Sequence, residues 1–306
     1  MNTPSTELSL RRNWLSPIDI ITLVFTGWIM LYMGIGHPRV IDLGTHFPSY
    51  MSVFAGVLLT AWLQKLWEGR EGWFYSAFRL LRSMYPVLLF GYFYSSNYAF
   101  NRVLVPNWQD PFFYKIDEAI FGYLPSLVWG QKYSHWAVSE LFHLAYFCYY
   151  PMIFGLPLYL YLKNRNAFAE LIFAVTFTFY LSYFIYSLLP TIGGRYFPEA
   201  LELTKVYRAG PFTHIMAYIY NTTHHWGGAF PSSHVGVTIV LTIAGLRFTK
   251  VMGYVFVVIS FFLALSIAYC HYHWFIDAVG GIFLGIGGYY LAGWLRTKLS
   301  PVENSN

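Results

Sequence analysis

A chain of 306 residues that is 57% hydrophobic, 22% aromatic and only 11% charged cannot clothe a water-facing surface in polar groups, which excludes an ordinary soluble fold. Its hydrophobic runs are ~17–24 residues long and apolar all round, so they predict an all-α, polytopic membrane helix bundle and not the alternating strands of a barrel. The formal charge of +5 comes from Lys and Arg scattered between those runs, without the basic cluster that a nucleic-acid partner requires.

Residues 1–17, with Arg11 and Arg12, read as a cytoplasmic tail ahead of an uncleaved first span. Runs at 18–35, 49–66 and 80–97 predict three spans, the third blunted by Arg79 and Arg82 at its start and by the polar stretch Tyr92 to Tyr98 at its end. A long loop, 98–136, follows. There Phe113, Ile116 and Ile120 share one helical face while Tyr114, Lys115, Asp117 and Glu118 lie elsewhere, which predicts a short helix lying at the interface or packed on other loops. Runs at 137–161, 168–189, 232–248, 251–271 and 274–295 bring the total to about eight spans, with a second long loop at 190–231 and a cytoplasmic tail from 296 to 306. The N-terminal spans and loop (18–136) thus precede a membrane core at 137–295. Of the nineteen Lys and Arg, twelve fall on the face that carries both termini and seven on the other, so the termini are expected in the cytoplasm. Cys148 and Cys270 lack the C-x-x-C spacing of a zinc or redox site.

Ionisable groups are expensive near a membrane interior, so those beside spans are candidates for function. Four stretches stand out, all on the exoplasmic (periplasmic or lumenal) face by the span count: Gly193-Gly194-Arg195-Tyr196, His224-His225, Pro231-Ser232-Ser233-His234, and His271-Tyr272-His273 with Asp277. On a helix, His273 and Asp277 are four positions apart and share a face, so the carboxylate can fix one ring nitrogen and leave the other as nucleophile or base. Pro231-Ser232-Ser233-His234 reads as a capped helix start, whose free N–H groups favour phosphate, with His234 placed to donate a proton. The guanidinium of Arg195, after two glycines, suits a forked hold on phosphate oxygens. Each pattern also has a plain structural reading: a His–Asp tie, a capped span, an interfacial anchor.

Together these residues resemble the type 2 phosphatidic acid phosphatase superfamily, whose pattern is K-x6-R-P, P-S-G-H and S-R-x5-H-x3-D. Pro231-Ser232-Ser233-His234 matches the second element with Ser for Gly, Ser266, His273 and Asp277 match the third, and Arg195 stands where the first arginine belongs. The resemblance implies that His273 attacks phosphorus to form a phosphohistidine, Asp277 orients it and His234 protonates the leaving group. It implies further that Arg195, Ser232 and Ser233 hold the phosphate, with no metal or other cofactor. Leu188 replaces the family lysine, Tyr196 the proline and Ile267 the second arginine. His271, His225, Lys205 and Arg208 are the residues that can compensate. The departures resemble the inositolphosphotransferase branch that includes inositol phosphorylceramide synthase, where the phosphohistidine is discharged onto a lipid hydroxyl, as in sphingolipid metabolism.

The resulting expectation is a membrane enzyme that transfers a phosphoryl or phospho-headgroup between lipids, with a lipid phosphate or phospholipid as substrate. Two alternatives stay open: a lipid phosphate or polyprenyl diphosphate phosphatase, and a transporter or metal carrier using His224, His225, His271 and His273 as ligands.

Overall fold

The computed structural model describes residues 14–203, 210–222 and 226–300. Among them the secondary structure is helical throughout, and helices fill all eight expected windows. The first three are α1 (Pro17–Ile35), α2 (Leu43–Leu66) and α3 (Trp73–Ser96). The 98–136 loop carries α4 (Asp110–Phe121) and α5 (Pro125–Lys132). The expected fourth span is two helices, α6 (Trp136–Phe147) and α7 (Tyr149–Lys163), joined at Cys148. Then come α8 (Arg165–Leu188), the short α9 (Pro198–Leu203), α10 (Pro211–Thr222), α11 (Ser233–Phe248), α12 (Val251–Tyr269) and α13 (Phe275–Leu299).

Five stretches are long and apolar enough to cross a membrane: α1, α6 with α7, α8, α12 and α13. The chain is therefore a polytopic helical membrane protein. α11 is apolar but has only 16 residues. At 1.5 Å per residue that is roughly 24 Å, short of a ~30 Å hydrocarbon core. α2 and α3 reach 24 residues each but carry charged and hydroxyl side chains along their length.

α8 is the central post, with 72% of its apolar window buried, and α1, α3, α7, α11 and α13 pack around it. Its Tyr180 meets Thr22 near the start of α1, and its Ser187 carbonyl accepts from the Tyr32 hydroxyl near the end of α1. The two helices therefore run parallel. Arg82, expected to blunt the third span, is instead buried: its guanidinium forks onto Asp19, which also caps α1 from within a capping box. Burying either charge alone is costly, so the pair fixes α1 against α3 as a unit.

α11 and α13 approach closely. A Cβ on Gly281 would lie 2.6 Å from the Ser232 carbonyl oxygen, and one on Gly285 would lie 2.4 Å from that of Gly236. This seam sets the first turn of α13 beside the start of α11.

Contrary to expectation, the buried face of α4 is not the one bearing Ile116 and Ile120. Asp110, Phe113 and Asp117 turn inward, and Ile120 is exposed. The reason is hydrogen bonding. Both carboxylates accept backbone N–H groups that the rest of the fold leaves without partners, and satisfying those donors outweighs burying one isoleucine.

Candidate active site

The link between α12 and α13 folds back on itself. His271 sits at φ 61°, and the amides of Tyr272 and His273 both donate to the Ile267 carbonyl, at 2.9 and 3.0 Å. The reversal sends the three side chains in different directions. His271 is buried with Nδ1 on the Ser126 carbonyl of α5. Tyr272 stacks on Tyr220 at 4.0 Å. His273 faces a cavity.

His273 Nδ1 stands 3.0 Å from the Ala229 carbonyl oxygen and 3.2 Å from Asp277 Oδ2. Two acceptors on one nitrogen require that Nδ1 carries the proton, which leaves Nε2 with the lone pair. The pair does not meet across one helical face, as the spacing suggested. His273 lies before α13, and Asp277, in its first turn, reaches back over the helix start, where Oδ2 also accepts the Trp274 amide at 3.0 Å. Asp277 Oδ1 is buried without a partner.

The start of α11 lies directly beneath. Ser232 is its N-cap, accepting from the Val235 amide, and the Ser232 amide donates to the Asp277 carbonyl at 3.0 Å. Ser232 is fully buried and does not line the cavity, whereas Ser233 does. The Ser233 amide donates to the Tyr186 hydroxyl, which in turn donates to the Pro231 carbonyl. Both serine amides are thus engaged within the fold, and the Ser233 side chain also bonds the Tyr186 hydroxyl at the cavity wall. His234 is half-buried on the cavity wall between the rings of Tyr149 and Tyr146, at 4.5 and 5.1 Å.

Arg195 reaches the same cavity from the segment after α8. Gly193, at φ 81°, passes so close to Ala229 and Tyr272 that a Cβ would lie 2.9 and 3.0 Å from them, which brings this segment against the His273 loop. The Arg195 guanidinium lies 4.3 Å above the Tyr220 ring and donates to the Tyr220 carbonyl. Aromatic faces hold a cation in place while leaving donors for an anion.

Three carboxylates that the motifs do not mark hold these loops. Asp110 accepts the amides of Ile192 and Gly193 and the indole N–H of Trp274, at 2.9, 2.8 and 2.8 Å. Asp117 accepts the first two amides of α13, Phe275 and Ile276, at 2.6 and 2.9 Å. Burial pushes the Asp117 carboxyl up to about 6 despite those bonds. Glu140 accepts the amides of Gly210, Phe212 and Thr213 at the start of α10. The sequence did hold one signal: Asp110 and Asp117 are seven positions apart, about two helical turns, and so share a face.

His273, His234, Ser233 and Arg195 line one cavity of about 360 Å³. Arg195 is the one fixed cation on its described lining, since Ile267 is sealed in the core and Leu188 is absent from the wall. His271 points away to α5, and burial pushes its imidazole down, toward the neutral form. His224, His225, Lys205 and Arg208 lie outside the described residues. Among the described residues no three His, Cys, Asp or Glu side chains converge as a metal-binding group.

A family model described as the PAP2 superfamily matches residues 113–291, more than half of the chain, beginning inside α4 and ending within α13. No curated protein and no solved structure matches.

Proposed function

Because the chain belongs to the PAP2 superfamily, whose lipid phosphatase and phosphotransferase chemistry it shares in general, we propose that it transfers a phosphoryl or phospho-headgroup between membrane lipids through a phosphohistidine on His273. The observation that carries this reading is the double anchoring of His273 Nδ1 to Asp277 and Ala229, on a residue that shares a cavity with His234 and Arg195. A tautomer held this way offers Nε2 as a nucleophile, and Asp277 stabilises the positive charge that the ring gains on attack.

In the first step the Nε2 lone pair forms a bond to phosphorus as the bond to the leaving oxygen breaks. His234, protonated, gives that oxygen its proton. Arg195 and the Ser233 hydroxyl bear the charge on the phosphoryl oxygens, and in a water-poor cavity such fixed donors are worth most. In the second step an acceptor hydroxyl loses its proton to His234 and takes the phosphoryl group from His273, which restores both histidines. With the termini in the cytoplasm, the site opens on the exoplasmic side.

One fixed cation, where the family pattern supplies three basic groups, favours a phosphate with a single negative charge. That supports a phosphodiester donor and an alcohol acceptor, in the manner of the inositolphosphotransferase branch, over hydrolysis of a dianionic monoester. An assay with a phospholipid labelled at phosphorus separates the two, by whether label ends in a new lipid or in inorganic phosphate. His273→Ala is expected to abolish turnover, and His234→Ala to lower it ~10²–10⁴-fold, both in protein that still purifies as wild type. Substantial turnover in a well-folded His273→Ala protein would overturn the phosphohistidine.

A further inference from the structure

The cavity has a second end that the chemistry above does not use. Away from Arg195, His234 and His273 its wall is Val87, Phe90 and Gly91 of α3, Ile153 and Phe154 of α7, and Phe179 of α8. None of these side chains has a polar atom. The tyrosines Tyr94, Tyr149 and Tyr150 lie on the same wall.

This apolar arm runs along the bundle and sideways out of it. Tyr94, near the end of α3, shares the cavity with Arg195, so the end of α3 is at the level of the site. Counting back from Ser96 at 1.5 Å per residue, Gly91 lies roughly 8 Å and Val87 roughly 13 Å deeper along α3. Phe154 lies a similar roughly 8 Å below the start of α7. Val87, Phe90 and Phe179 are buried, but Gly91 is exposed and Phe154 keeps 53% of its surface accessible. The arm therefore reaches the outer surface of the bundle between α3 and α7, each of which packs on α8. In a membrane that surface faces hydrocarbon, and an opening at that depth admits no water-soluble ligand.

We infer that this arm is an acyl-chain site: it takes one chain of the lipid substrate sideways from the bilayer while the phosphate sits between His273 and Arg195, and Gly91 sets its width. The inference rests on the proposed reaction for the identity of the polar end. Three observations carry it: the arm is continuous with the histidine-lined chamber, its wall is apolar and aromatic with no charged side chain, and its mouth is at chain depth. Gly91 is disfavoured in the middle of a helix, yet a Cβ there meets nothing within 4 Å. A larger side chain fits the fold and enters the mouth. α3 lies outside the stretch matched by the family, so this wall belongs to the additional N-terminal helices.

The test uses the full-length protein in lipid nanodiscs and phosphatidylinositol, a phosphodiester lipid, with a diazirine halfway along one acyl chain. After irradiation, labelled peptides are mapped by mass spectrometry in wild type and in His273→Ala, so the result does not depend on turnover. Label is expected in α3 around 87–91 and in α7 around 153–154, and excess unlabelled phosphatidylinositol should remove it. Gly91→Leu should reduce that label at least fivefold and Gly91→Ala by less, while Gly155→Leu, on an exposed α7 position off the cavity wall, should not. Equal labelling in Gly91→Leu and wild type overturns the site, as does label confined to the outer groove of α1 and α2 around Met30 and Met51. A cross-link that follows this pattern in a protein that turns over no phosphate ester leaves the chain site standing and removes the proposed reaction.

Discussion

At the residue scale the proposed chemistry rests on which nitrogen of His273 keeps its proton. Asp277 Oδ2 accepts both the His273 ring and the Trp274 amide, so it holds the imidazole and the helix start at once. Asp277→Asn keeps the shape but cannot balance the charge that appears on the ring during attack, and its amide N–H₂ can face Nδ1 and force the wrong tautomer. A fall in kcat of about 10²-fold or more is expected, by analogy with a triad aspartate, with little change in KM. A loss confined to KM would assign Asp277 to substrate binding. The pairing was legible in the sequence because a four-residue spacing has few structural meanings near a membrane. Its geometry was not, because the helix begins two residues after His273, and whether a short stretch is the last of a loop or the first of a helix depends on cap contacts made from elsewhere.

At the element scale, α4 is the part that periodicity misjudged. A hydrophobic stripe of three residues suggested a helix resting on its apolar side, whereas Asp110 and Asp117 turn inward to serve donors on segments more than eighty residues away in sequence. Such demand is invisible locally. Asp117 caps the helix that carries Asp277, and burial raises its carboxyl from an ordinary 3.8 to about 6. A raised acid binds more protons folded than unfolded between those values, so this group makes the fold less stable as pH rises from about 4 to about 6. Above about 6 the contribution is constant. Asp117→Asn removes that titration and leaves one oxygen to accept two amides. The wild-type unfolding temperature minus that of the variant, measured in detergent from pH 4 to 7, is therefore expected to fall with pH across that window and then level off. A flat difference would mean that Asp117 titrates alike in both states.

At the scale of the whole molecule, the placement of helices followed from hydropathy alone, since lipid demands long apolar runs and little else does. Less legible was which helices share the burden. α11 is short because it starts inside the bundle, sealed by the α4 segment through the stack of Phe113 on Phe230 at 4.1 Å. The chamber proposed for catalysis is therefore sunk below the end of the bundle, which fits the lateral entry inferred above.

A direction across the membrane is proposed from the packing combined with the charge count. α1 runs parallel to α8, α8 ends at the site, and α13 begins there. Both ends of the described chain thus lie at the end of the bundle remote from the site. By the sequence count, twelve of the nineteen basic residues belong to the face with both termini, and on the positive-inside rule that face is proposed to be cytoplasmic. The orientation can be read from single cysteines in a background where Cys148 and Cys270 are replaced by alanine. Glu71→Cys, between α2 and α3, is expected to resist a membrane-impermeant maleimide in intact cells or sealed right-side-out vesicles and to react after permeabilisation. Ser134→Cys, between α5 and α6 on the side of the site, is expected to react without it. The reverse pattern would turn the site to the cytoplasm. Reaction of both without permeabilisation would mean that α2 and α3 do not carry the chain across and back as a pair, and would separate the N-terminal helices from the orientation of the core.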